Sequence, residues 1–181
     1  MSKPEFRHCV IAMLGVMTLG VLQGILIAVG IALLKLLNLA SRPRDAIMGL
    51  VESKEGVYCA EIEDGGKVVP GLIIYRFDSS LVFFNADYFK DRVRTVINQA
   101  NTKPVWFLFN AESVPLLDTT GADALEALRS ELAEQDIVLA VARAKGWFRV
   151  MLERTGVAER IGAEHLFPTV HAGAQSFLAA Q

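Results

Sequence analysis

Asp118, Thr119, Thr120 and Gly121 stand together inside LLDTTGADALEALRSEL, residues 116–132, where an apolar run gives way to helical spacing. Leu125, Leu128 and Leu132 then share one helix face. Side-chain oxygens at such a junction have two uses. They can accept hydrogen bonds from the N–H groups that a helix leaves unpaired in its first turn. Alternatively, an exposed hydroxyl can serve as a switch. Thr120 is followed three residues later by Asp123, a spacing that resembles a capping box, so Thr120 is the expected N-cap. Thr119 then falls one position outside the helix, with its hydroxyl free in the loop.

Other reactive constellations are missing from the chain. No GxSxG, HExxH, Walker A or GxGxxG sequence occurs. Cys9 and Cys59 lie far apart without a CxxC spacing, and His8, His165 and His171 do not combine with them into a zinc pattern. The expectation is a protein with no catalytic residues, no metal and no cofactor.

The net charge of -2 hides a division along the chain. Through Asp45 there are five basic residues against two acidic ones, and from Ala46 onward there are 13 basic and 18 acidic. The larger part is mildly acidic, which argues against nucleic acid as a partner. Two separated cysteines do not make a disulfide scaffold and fit a reducing compartment.

The elements that must position the DTTG turn begin with an apolar leader. Between Arg7 and Lys35 there is no formally charged side chain. This stretch is too long for the core of a signal peptide and reads as a retained membrane segment, residues 8–40. As a single helix, the 30 residues from Val10 to Leu39 would span about 45 Å, against a bilayer core of about 30 Å. Tilt could absorb the excess, or two short helices could meet near Gly20–Gly24. Lys3 and Arg7 on one side and Arg42 and Arg44 on the other suit a hairpin with both ends in the cytoplasm. Residue patterning alone leaves both arrangements open. Gln23, the only amide between Arg7 and Lys35, reads as a helix-packing contact.

Residues 41–67, turn-prone and of mixed charge, read as a linker with a short strand at GVYCAEI. From Val68 a strand–helix alternation runs to Gln181. VVPGLIIYRFD is an apolar strand, and SLVFFNA is expected to pair with it as a hairpin. DYFKDRVRTVINQAN is an amphipathic helix. KPVWFLFNAE and DIVLAVA read as strands covered on both faces. GWFRVMLERTG is a helix closed by Gly156, LFPTV a short last strand and HAGAQSFLAA a terminal helix. The pattern predicts an α/β domain over 68–181, with a largely parallel sheet and the DTTG turn at a strand's C-terminal end.

Taken together, TLGVLQGILIAVGIALLKLL, ASRP, VPGLIIYRFDSSLVFFNADYFKDRV and LLDTTGADAL resemble the C-terminal end of a SulP-type anion transporter. The resemblance implies a STAS-type domain with a largely parallel or mixed sheet covered by helices, preceded by a membrane helical hairpin. It implies a regulatory or interaction module at the inner membrane, its C-terminal domain cytoplasmic. Such transporters carry many further helices upstream, and their anion site lies among those. The chain is therefore expected to be a C-terminal fragment, a split-gene product or a truncated gene, unable to transport alone. Expected partners are membrane lipid, the remaining transporter helices or a homo-oligomer partner, and a kinase or other signalling protein. STAS domains are also similar to bacterial anti-sigma-factor antagonists, which makes a phosphorylation-switched antagonist the alternative reading. Thr119 matches the hydroxyl phosphorylated there, so Asp118, Thr119, Thr120 and Gly121 are the candidate regulatory loop.

Overall fold

The computed structural model describes residues 21–53, 56–62 and 66–180, with side chains from 52 to 60 left aside. The chain divides into two compact units, Met1–Arg42 and Pro43–Gln181.

In the first unit the described element is α1, Val21–Ser41, long and apolar enough to cross a membrane. Only Gly24 is buried along it, so its leucines and isoleucines face outward rather than into a protein core. That exposure is the opposite of a soluble core helix. The expected hairpin falls partly on residues 1–20, outside the described residues.

The second unit is built on a six-stranded sheet. Its strands are β1 (Asp45–Ser53), β2 (Gly56–Glu61), β3 (Leu72–Phe77), β4 (Trp106–Asn110), β5 (Val138–Ala142) and β6 (Leu166–Phe167), in the spatial order β2-β1-β3-β4-β5-β6. Strands β3 to β6 are parallel neighbours, whereas β1 runs antiparallel to both β2 and β3. Parallel pairing requires crossovers, and these are the helices α2 (Ala86–Asn98), α3 (Thr119–Ala133), α4 (Gly146–Arg154) and α5 (Val157–Ile161). A last helix, α6 (Val170–Ala179), follows β6.

Alternation along the central strands splits the core in two. Ile73, Tyr75, Phe77, Phe107, Phe109, Leu139 and Val141 pack with Phe89, Leu125, Leu128 and Phe148 from the crossover helices. Leu72, Ile74, Leu108, Ala140 and Ala142 point the other way and pack with Val170, Ala174 and Phe177 of α6. Each fully buried leucine or phenylalanine contributes about 1.5–3 kcal/mol of transfer free energy. Small residues bring α6 close: a Cβ on Gly173 would lie 2.9 Å from a Leu108 methyl.

Two expectations are corrected here. The strand expected at GVYCAEI is present as β2, but the segment 41–67 also holds β1 where linker is expected, and β1 pairs with β3 from Asp45↔Phe77 to Met48↔Ile74. The sequence conceals this, since β1 takes its order from β2 and β3 and not from a strong alternation of its own. SLVFFNA is not a second hairpin strand. Leu81 forms an isolated parallel bridge to Leu117, and Val82–Asn85 turn directly into α2. The Asn85 amide holds that turn, accepting from Val82 N (2.9 Å) and donating to the Ser80 carbonyl (2.9 Å).

Candidate functional site

Because β3, β4 and β5 are parallel, the loops 78–85, 111–118 and 143–145 leave the sheet at one end. The amino-terminal ends of α2, α3 and α4 gather there, which is the usual place for function in an α/β sheet. The DTTG turn is the central one of the three.

Asp118 is extended (φ -99°, ψ 179°) and caps α3. Its Oδ1 accepts from Gly121 N at 2.7 Å, satisfying one of the first-turn donors. Its Oδ2 accepts from Phe83 N at 2.9 Å, in the loop after β3. The backbone repeats the connection: Asp118 N donates to the Leu81 carbonyl (3.3 Å), and Leu81 N donates to the Leu116 carbonyl (2.9 Å). The cap therefore fastens two loops as well as one helix.

Gly121 is buried where the helix meets that neighbouring loop. A Cβ there would come within 2.3 Å of the Leu81 carbonyl oxygen, closer than any side chain can tolerate. The glycine is required by backbone-to-backbone approach, and its own helical conformation is ordinary.

The structure thus moves the cap from Thr120 to Asp118. The Asp118 carboxylate, with two oxygens, serves both Gly121 N and Phe83 N. Thr119 is the first residue of α3, not a loop residue outside it. Both threonines are exposed, and neither hydroxyl has a hydrogen-bond partner among the described residues. Their own N–H groups belong to the unpaired first turn of α3, where a negative group is favoured by the helix dipole. Asp118 beside them opposes such a group.

One neighbour of this loop is not marked by any motif. Phe83 and Phe84 meet edge to face at 5.3 Å, with Phe83 70 % exposed, and Leu116 beside the cap is also exposed. In the sequence these residues look like part of a buried strand, so their exposure is a tertiary result.

Charged side chains tie this end of the sheet together. Arg92 of α2 grips Asp45, the first residue of β1, and Arg76 bridges Asp78 and Glu61. Arg143, whose φ of 59° is left-handed, pairs with Glu112. Beneath Asp45, burial first and then the Asp45 charge push the Tyr75 phenol well above its usual range. No group of three His, Cys, Asp or Glu side chains among the described residues is arranged to hold a metal ion.

Residues 67–173 match the family model of the STAS domain. A probable sulfate transporter of Mycobacterium tuberculosis is 39 % identical over 162 residues, covering 90 % of this chain and 29 % of that protein. The chain thus spans less than a third of that relative. Among solved structures, the murine Solute Carrier 26 family member A9 anion transporter aligns with 99 % of this chain and 29 % of its own, at 18 % identity and a TM-score of 0.82. The SulP transporter STAS domain from Vibrio cholerae covers 66 % of this chain and 94 % of its own, at 20 % identity and a TM-score of 0.53. At these identities the two structures speak to fold alone.

Proposed function

Because the chain belongs to the STAS domain family, we propose that it is the membrane-tethered regulatory or interaction module of a SulP-type transporter of sulfate or a related anion. The observation that carries this reading is the union, in one chain, of an exposed membrane-length helix and a STAS domain. An alignment with a probable sulfate transporter across 90 % of the chain supports the same union. The role is non-catalytic. The domain works on the cytoplasmic side, and the apolar leader forms a hairpin that returns both ends to that side. Its partners are the remaining transporter helices or a second copy of the chain.

Thr119 is the regulatory residue of this module, with Asp118, Thr120 and Gly121 shaping its loop. Its exposure at the start of α3 supports that role. A phosphate there would face free N–H groups and the positive end of the helix, yet be repelled by Asp118. The modified loop would therefore favour a different partner. Transport needs a pathway between several helices, and among the described residues α1 is the one helix of membrane length. Liposomes holding this chain alone should show no saturable uptake of labelled sulfate. Uptake by the chain alone would refute the modular reading.

A further inference from the structure

The strand register reveals which end of the STAS domain is tethered. Asp45 begins β1 opposite Phe77, the last residue of β3, and Asp78 N donates to the Arg44 carbonyl at 2.9 Å. Arg42, Pro43 and Arg44 alone separate that point from the last residue of α1. The chain therefore enters the domain at the end of the sheet that carries the loops after β3, β4 and β5.

The same end exposes large apolar side chains. Phe83 and Phe84 stand on the first loop and Leu116 on the second, while Trp147 (48 % exposed) lies in the first turn of α4. Val150, one turn further along α4, is exposed as well, although Phe148, Met151 and Leu152 of that helix are buried. Single exposed apolar residues are ordinary on a protein surface. A tryptophan and two phenylalanines gathered at the tethered end are a different matter, because aromatic side chains favour the headgroup level of a bilayer.

Ion pairs at this end take up most of its carboxylates and leave individual cations exposed. Asp45 is engaged by Arg92, Asp78 and Glu61 by Arg76, Glu112 by Arg143, and Asp118 by two backbone N–H groups. Asp87 pairs with Lys90, and Asp123 has no ion-pair partner among the described residues. Against these stand Lys145, exposed and without an ion pair among the described residues, and Arg44, also exposed, whose contact with Glu61 is long at 3.8 Å. Exposed aromatic side chains and exposed cations at one end of the sheet are the composition of an interfacial membrane contact.

We propose that this end of the domain lies on an anionic phospholipid surface, with Trp147 and Phe83 as anchors and Arg44 and Lys145 as headgroup contacts. The proposal rests on the reading that α1 is membrane-inserted, and the test separates the two. The full chain is reconstituted in vesicles of phosphatidylcholine and phosphatidylglycerol, with and without bromine on the lipid chains near the headgroup. Trp106 and Trp147 are the two tryptophans, so the difference between the parent and Trp147→Phe isolates Trp147. The expected result is a loss of Trp147 emission with brominated lipid, made smaller by Lys145→Glu, by Phe83→Ser, or by vesicles of phosphatidylcholine alone. Co-flotation with vesicles but no bromolipid quenching of Trp147 would overturn the proposal and leave the anchored reading standing. Shielding of Trp147 only when transporter protein is added would also overturn it, assigning the face to protein. Failure of the chain to float with vesicles would remove the anchoring and this proposal together.

Discussion

Asp118 reaches across 35 positions to accept a hydrogen bond from Phe83 N at 2.9 Å, while its other oxygen caps α3 at Gly121 N. One carboxylate thus sets both the helix start and the position of the aromatic loop. Asp118→Ala should cost about 1–2 kcal/mol through the lost cap, and a further penalty follows from the Phe83 N–H left without its acceptor. Thr120→Ala, by contrast, should change stability by less than about 0.5 kcal/mol, as exposed substitutions away from such features do. Chemical denaturation of the two variants checks the contrast. Equal losses would return the cap to Thr120.

Gly121→Ala should destabilise the domain by about 1–3 kcal/mol, because the new methyl would overlap the Leu81 carbonyl and push α3 away from the β3–α2 loop. Gly30 in α1 has open space around its would-be Cβ. The corresponding change there should be neutral for the folding of the STAS domain. Thermal unfolding of both variants decides this. A harmless Gly121→Ala would mean the close approach is not rigid.

Asp45 and Arg92 form a two-pronged pair, with Nε at 3.1 Å from each carboxylate oxygen and Nη2 at 2.9 Å from Oδ2. It anchors the beginning of β1 to α2, four residues after α1 ends. Arg92→Ala leaves Asp45, whose side chain is only 9 % exposed, without its partner. The expected loss is about 1.5–3 kcal/mol. Hydrogen exchange should show it first in the β1–β3 pairing, and uniform change across the sheet would argue against a local anchor.

Acid should loosen the α3–α5 contact. Hydrogen bonds from Arg129 first, and then from Arg160, hold the Glu126 carboxyl below its ordinary value of 4.5, against an opposing effect of burial. Arg129 Nη2 lies at 2.8 Å and Arg160 Nε at 3.0 Å from the carboxylate. A depressed native pKa means the stabilisation is complete above the unfolded value and is lost as pH falls through the native one. Stability measured downward from about pH 4.5 should therefore fall less steeply in Glu126→Gln than in the parent. Identical slopes would show that the ion pair carries no net stabilisation.

For the candidate regulatory residue, Thr119→Glu should leave the circular dichroism spectrum unchanged, since the side chain is exposed at a helix N-terminus where negative charge is favoured. A SulP-type transporter assembled with this chain should instead change its sulfate uptake. If Thr119→Ala and Thr119→Glu both match the parent, the loop is only a structural turn.

The strands β3, β4 and β5 could be read directly, because IIYRF, WFLFN and VLAVA are apolar runs that only a sheet covered on both faces can bury. The crossover helices were equally legible from leucines and valines at helical spacing, as at Leu125, Leu128 and Leu132. Local patterning determines such elements because the period of the side chains is a property of the backbone itself. Tertiary structure decided the rest. The 45–53 stretch becomes β1 by pairing with β3 through Asp45–Met48 and with β2 through Met48–Ser53, for its own alternation is weak. Phe83 and Phe84 are apolar enough for a strand, yet the parallel crossover from β3 to β4 turns them outward. Either Asp118 or Thr120 could have capped α3 on local chemistry alone. Asp118 does so because its second oxygen finds Phe83 N, a donor that only the folded neighbouring loop can supply.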